Sequence, residues 1–232
     1  MEITHAIVLG VMIVLWFIAF LKVFYDTKRK GQSTSLTRRL VRIAVFGAIS
    51  AILYCVPILK FPVPIFPQFL EFHFDEIPAF IAGFAYGPLS AVGVLLVKTL
   101  IKLPLTSTLC VGELSDLLFS AAFIIPASLI YKYRRDIKGA LVGLGTGLVF
   151  QLLISIIGNI YVMVPFYMFM FNMSSQQLLS ICQLANPAIK DVGWTYGLFA
   201  VLPFNLIKDA IVIIVTILVY KSTHRFIDKL QA

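Results

Sequence analysis

Charge is scarce in this chain. Only 13% of its 232 residues are charged, 60% are hydrophobic, and the mean hydropathy is +0.96. A soluble domain carries roughly a quarter charged residues, so a water-soluble globule is excluded. No G-x-x-x-x-G-K-[ST] phosphate loop occurs, and His5, His73 and His224 are too scattered for a two-histidine metal motif. No metal or cofactor is expected, and any uphill work must draw its energy from elsewhere. Cysteine is sparse too. Cys55, Cys110 and Cys182 are odd in number and lack a framework spacing, leaving three free thiols or a single Cys110–Cys182 bridge as the alternatives. No internal repeat or low-complexity segment is present.

What the chain has in quantity is long apolar runs. At about 20 residues per crossing, its length holds about six or seven spans with short connections and no separate soluble domain. Residues 1–26 predict an N-terminal membrane helix whose basic flank (Lys28, Arg29, Lys30) follows the apolar run, the order of an anchor rather than a cleaved signal peptide. The polar stretch 27–37 reads as a cytoplasmic linker, and 38–232 as the body. Within the body, apolar runs fall at 40–59, 77–86, 89–103, 112–131, 139–163 and 197–220. The second and third are short and meet at Tyr86-Gly87-Pro88, where glycine tolerates positive φ and proline suits a first helical turn.

The formal charge of +8 follows from topology, with no nucleic-acid partner. The clusters Lys28 to Arg42, Lys132 to Lys138 and Lys221 to Lys229 share one side if the body has six helices. By the positive-inside rule that side, with the C-terminus, is cytoplasmic. Glu71, Asp75, Glu76 and Asp191 fall on the other. The expected location is the cell membrane, crossed several times.

Polar side chains inside spans are costly and therefore informative. Gly158-Asn159 precedes Tyr161, Pro165 and Tyr167, and Pro203-Phe204-Asn205 precedes Lys208 and Asp209. Asn205 and Lys208, three apart, share a helix face. With the two helices antiparallel, Asn159 and the Asn205/Lys208 pair lie in the outer half and can converge on one pocket. Pro203 should bend its helix and free carbonyls that need a partner. Amides and an ammonium beside Phe and Tyr suit a flat ring with a polar rim. The alternative is structural: Asn159 and Asn205 bond each other, and Lys208 pairs with Asp209 or Asp191.

Other polar features also admit two readings. Lys98 and Lys102 either extend to the outer interface or pair with Glu113 and Asp116, which otherwise cap their own helix or form part of the pocket rim. The loop 60–76, with Pro62, Pro64 and Pro67, either lids a cavity or merely joins helix ends. Ala44/Ala48 and Gly47/Ala51 follow small-xxx-small spacing, for close approach of a partner's helix or of one in the same subunit. An intramembrane enzyme would need His73, Glu113 and Asp116 to meet in a dry site. A solitary secondary transporter would be expected to show paired repeats or matching broken helices. Neither pattern is evident.

Four ordered pieces carry a resemblance: Phe69-Leu70-Glu71-Phe72-His73-Phe74-Asp75-Glu76-Ile77-Pro78-Ala79; Tyr86-Gly87-Pro88-Leu89 with Lys98 ten residues beyond the proline; Gly158-Asn159-Ile160-Tyr161 through Pro165-Phe166-Tyr167; and Leu202-Pro203-Phe204-Asn205-Leu206-Ile207-Lys208. From about Thr37 to Tyr220 the chain resembles the substrate-binding S components of energy-coupling factor (ECF) vitamin transporters, most closely the riboflavin-binding ones. The resemblance implies an all-α integral membrane protein, a six-helix S-component body plus the extra N-terminal helix, and no enzymatic activity. It implies capture of riboflavin or a related small vitamin by Asn159, Asn205 and Lys208, with Tyr161 nearby and Phe69, Leu70, Glu71 and Phe72 over the ligand. It also implies a membrane T component and two ABC ATPases as partners, docked on Ala44 and Ala48. The lid departs from the family's lysine-containing pattern, with Glu71, His73, Asp75 and Glu76 in that stretch, so another vitamin or a flavin-related ligand is the alternative.

Overall fold

A computed structural model describes residues 36–231, with side chains to Ser222. The expected N-terminal helix and most of the linker lie outside the described residues. Among the described residues the regular structure is helical apart from one small hairpin.

Helix α1 (Leu36–Cys55) opens with Arg38, Arg39 and Arg42 and stops before Pro57. A loop follows, closed by β1 (Phe61–Pro62) against β2 (Glu71–Phe72), with Phe61 opposite Phe72 and Pro62 opposite Glu71. Helices α2 (Glu76–Tyr86) and α3 (Pro88–Lys102) meet at Gly87, whose φ of 92° is a conformation glycine adopts without strain. Then come α4 (Val111–Tyr133) and α5 (Ile137–Gly158). The latter runs through a π-helical turn (Asn159–Met163) into α6 (Val164–Met170). After α7 (Ser175–Ala185), the short α8 (Trp194–Tyr196) passes through a second π turn (Gly197–Val201) into α9 (Leu202–Gln231). Among the described residues, four stretches are long and apolar enough to cross a membrane: Pro88–Leu105, Val111–Tyr133, Ile137–Met170 and Trp194–Ser222.

Each body run of the sequence has its helix, but two run on. The run expected to end at 163 continues to Met170, and the last begins at Trp194. Helix α7 occupies what reads as a loop in sequence. Its Ser174 side chain accepts from Gln177 N while the Gln177 side chain accepts from Ser174 N, a reciprocal cap that satisfies two orphan donors.

Small residues set the closest helix approach. A Cβ on Gly143 would lie 2.7 Å from the Ala127 carbonyl oxygen, and one on Gly147 would overlap the Phe123 carbonyl. Helices α4 and α5 therefore touch backbone to backbone. Around this seam pack Phe80, Leu95, Phe123, Ile124, Leu144 and Val212, all buried. On α1 the two small-residue pairs part company. Gly47 lies against Val97 of α3 and Ala51 is buried, whereas Ala44 and Ala48 are exposed.

Candidate functional site

Two bent helices form one wall. Pro165 and Pro203 each follow a π turn, in which Val164 N donates to Asn159 O and Leu202 N donates to Gly197 O. A π turn widens the helix where the proline ring would otherwise clash with the preceding turn. The Phe199 carbonyl, four residues before Pro203, accepts instead from Asn186 Nδ2 at 3.1 Å. The carbonyl freed by the proline has a side-chain partner, as the sequence required.

Asn159 opens the first widened turn, and Asn205 lies about one helical turn beyond the second. Gln151, Ser155 and Asn159 recur every four residues and so share a face of α5. Asn159 Nδ2 donates to Ser155 O at 2.9 Å, and Tyr196 Oη donates to Asn159 Oδ1 at 3.4 Å. Asn205 Nδ2 donates to Val201 O at 2.9 Å, while its Oδ1 accepts from Gln151 Nε2 at 3.0 Å. The two asparagines are thus oriented by their own helices and do not bond each other. Gln151 Oε1 is buried without a donor, and an unpaired buried acceptor costs roughly 1–3 kcal/mol. Gln151, Asn159, Asn205 and Lys208 all line one open cavity, with Phe204, Met163 and Tyr167 supplying apolar surface.

The floor of the cavity is ionic. Lys208 Nζ donates to Glu76 Oε1 at 2.6 Å, both side chains being at most 5% exposed. The expected partners of Lys208, Asp209 or Asp191, are not the ones it takes. Lys98 is fully buried between Asp75 and Asp116, the latter at 2.9 Å. It reaches inward because two carboxylates compensate its burial, so the reading that sends it to the interface is corrected. Glu113 accepts from the hydroxyls of Thr106 and Thr108, each at 2.8 Å. His73 bonds Asp75 through Nδ1 and stands 3.6 Å from Asp116 Oδ1 through Nε2. Burial, the largest single influence, would lower the imidazole's pKa, as would Lys208, but the Asp75 and Asp116 carboxylates act together against them and the net shift is upward. Burial works against the Asp75 carboxylate as well, yet Lys98 and then His73 hold it well below the usual range. His73, Glu76 and Asp116 bring one donor atom each within 4.8 Å of one another. Lys98 pairs with Asp116 and Lys208 with Glu76, so the grouping is an ion-pair cluster.

The loop lies over this cavity. Lys60 Nζ bonds Glu71 Oε2 at 2.6 Å, next to the Phe61/Phe72 stack at 6.0 Å between centroids. Phe66 and Phe72 pack edge-on against Phe204, at 5.4 and 4.7 Å, and Phe69 lies 5.0 Å from Tyr167. Of the residues expected to hold the ligand, Asn159, Asn205, Lys208, Phe69, Leu70 and Glu71 line the cavity, and His73, Lys102, Glu113 and Asp116 line it as well. Phe72 sits behind it, buried on Phe204. Tyr161 lies outside the lining, half-buried in the apolar cluster beneath the loop. The three cysteines are free.

Sequence reasoning missed Gln151 as a lining residue, although its four-residue spacing from Ser155 and Asn159 was available. It also missed Tyr54, whose ring lies 5.2 Å from that of His73 and 4.9 Å from Lys98 Nζ. A lone tyrosine near a helix end carries no such signal.

Comparison with known proteins bears on this geometry. A family model described as "ECF transporter, substrate-specific component" matches residues 38–220. The riboflavin transporter RibU of Staphylococcus aureus is 28% identical over 87% of this chain and 98% of its own length. The riboflavin transporter FmnP of Bacillus subtilis is 25% identical over 82% and 96%. A solved structure of the S component of a bacterial ECF transporter superposes with a TM-score of 0.64 at 28% identity, covering 83% of this chain and 98% of that one.

Proposed function

The chain belongs to the substrate-specific components of ECF transporters, and on that premise we propose that it captures riboflavin at the outer face of the membrane for ATP-driven uptake. It is a multi-pass membrane transport protein and not an enzyme. The observation that carries the ligand assignment is the convergence of Gln151, Asn159, Asn205 and Lys208 on a cavity faced by Phe69, Phe204 and Tyr167. Aromatic side chains pack the faces of a tricyclic ring, while amides read its rim of carbonyl, imide and ring-nitrogen groups. The unpaired Gln151 oxygen would accept from an imide N–H, and the Lys208 ammonium would donate to an acceptor or a ribityl hydroxyl. Glu71 and its neighbouring acids around the loop favour this uncharged vitamin over a flavin phosphate.

The six-helix body is read as 38–232, with the C-terminus cytoplasmic. Membership of this family supports a T component and two ABC ATPases as the source of energy. Ala44 and Ala48, exposed on α1, form the docking face, where small side chains permit close helix approach.

Equilibrium titration of the detergent-purified chain with riboflavin, read by quenching of flavin fluorescence, tests the ligand. Saturable one-to-one binding is expected, and its absence would refute the assignment. The docking face is tested by Ala48→Trp, which should abolish uptake in cells while leaving that titration unchanged; normal uptake would remove the role.

A further inference from the structure

Beneath the cavity, three carboxylates are each shared between an ammonium and one imidazole. Asp75 bonds Lys98 through Oδ2 and His73 Nδ1 through Oδ1. Asp116 bonds Lys98 through Oδ2 at 2.9 Å and turns Oδ1 to His73 Nε2 at 3.6 Å. Glu76 bonds Lys208 through Oε1 at 2.6 Å and turns Oε2, buried and without a hydrogen-bond donor, to His73 Nδ1 at 3.9 Å. Three negative charges meet two positive ones, so the cluster is neutral only when the imidazole carries the sixth charge. Uncompensated charge at this burial is strongly unfavourable.

From this geometry we propose that protonated His73 is a positioning residue of the ligand site, and that riboflavin affinity falls as rising pH removes its proton. The inference rests on the reading of the cavity as a riboflavin site. His73 directly follows β2, so its ring ties the end of the hairpin to α4 through Asp116. Through Glu76 it also bears on Lys208, the ammonium that faces the cavity. When the imidazolium is lost, Glu76 and Asp116 keep their charges without it. The cluster then becomes net negative, its carboxylates repel one another, and Lys208 is drawn away from the ligand toward Glu76.

The other charges around His73 do not supply the missing one. On the loop, Glu71 is matched by Lys60. On α1, the Tyr54 ring lies tilted against the imidazole at 5.2 Å. On α4, Glu113 is held by the Thr106 and Thr108 hydroxyls. On α3, Lys102 lies over Tyr54 at 5.5 Å, beyond the three carboxylates' ion pairs. On α9, Asp209 is buried and neither of its oxygens has a partner. The neighbouring carboxylates raise the imidazole's pKa above its ordinary value in spite of burial.

The sign follows from linkage. A raised value in the assembled site means that the stabilisation is complete at low pH and lost as pH climbs through that value. Riboflavin titration of the full-length protein between about pH 6 and about pH 9 should show affinity falling about tenfold toward the alkaline end. His73→Gln should bind at the weak limit of that curve at every pH. A flat wild-type curve, or a slope that persists in His73→Gln, would overturn the proposal. If riboflavin binds at no pH, the functional reading fails, and histidine NMR of the ligand-free protein decides the remainder. In the His5→Gln/His224→Gln chain the one remaining imidazole should titrate above the ordinary histidine value, and Asp116→Asn should lower its midpoint. A midpoint at or below the ordinary value, or one indifferent to Asp116→Asn, would refute the proposal without reference to any ligand.

Discussion

The α4–α5 seam and the cavity solve opposite problems with opposite residues. At the seam, Gly143 and Gly147 remove side chains so that helix backbones meet, and Phe80, Phe123, Ile124 and Leu144 fill what remains. At the cavity, two π turns and two prolines hold helices apart, and the polar groups exposed by the bends are bound by Asn186, Ser155 and Val201. Packing density holds the first region, whereas charge pairing and satisfied hydrogen bonds hold the second. Binding space thus arises where helices are prevented from touching, and it persists because ions and amides fill the role that methyl groups play elsewhere.

The sharpest way to break that contrast is to put volume into the seam. Gly147→Leu should abolish recovery of folded protein, because the intruding Cβ meets the Phe123 carbonyl, a backbone atom that cannot turn aside. Overpacking typically costs about 1–3 kcal/mol, and a backbone clash belongs at or above the upper end. Gly145, whose added Cβ would meet nothing within 4 Å, is the control: Gly145→Leu should leave the melting temperature in detergent nearly unchanged. Equal losses in both variants would show that helix propensity, and not the seam, is being measured.

The next largest effect lies in the cavity. Lys208→Ala leaves Glu76 charged and buried, and breaking a buried pair costs about 3–5 kcal/mol, so thermal stability and riboflavin affinity should fall together. Lys208→Met with Glu76→Gln removes both charges. It should restore most of the melting temperature while leaving affinity low, which separates the structural use of the pair from its use on the ligand. Recovery of affinity in the double variant would assign Lys208 to folding alone.

How much of this was readable in the letters depends on distance along the chain. The helices followed from apolar runs, the α2–α3 joint from Gly87-Pro88, and Asn159, Asn205 and Lys208 from their cost inside a span. Those are local signals. The partner of Lys208 lies 132 residues away and that of Lys98 lies 23 residues away, and no pattern of spacing selects Glu76 over Asp209 or Asp191. Asp209 adjoins Lys208 in sequence, but the next residue of a helix points about 100° away, so adjacency misled. Helix α7 was hidden because it is short and mixed in polarity, and only its Ser174/Gln177 cap marked it. The split between Ala44/Ala48 and Gly47/Ala51 needed the position of α3, since either pair satisfies the spacing rule.

A third measurement sharpens the comparison on the cavity side. Asp209 is fully buried and neither carboxylate oxygen has a hydrogen-bond partner, in contrast to the three shared carboxylates beside it. Removing the potential charge while keeping the shape should relieve an unmet cost, so Asp209→Asn should raise the melting temperature by an amount equivalent to about 1 kcal/mol and leave riboflavin affinity alone. A fall in stability would mean that the carboxylate is bound by a group that replaces the lost energy.

The smallest effect belongs to the hairpin. Lys60 and Glu71 pair at 2.6 Å, but their side chains are 23% and 40% exposed, and such pairs are worth about 0–1 kcal/mol. Phe66 and Phe72 against Phe204, and Phe69 against Tyr167, give the loop an apolar hold that the ion pair only supplements. Lys60→Ala should therefore weaken riboflavin binding by at most about fivefold, seen mainly as faster release in stopped-flow fluorescence. Phe72→Ala should cost far more, because it removes a ring that packs on a wall of the cavity at 4.7 Å. If the ranking were reversed, the loop would be held by charge, as the cluster beneath it is, and the division between apolar and ionic support would run elsewhere than between hairpin and floor.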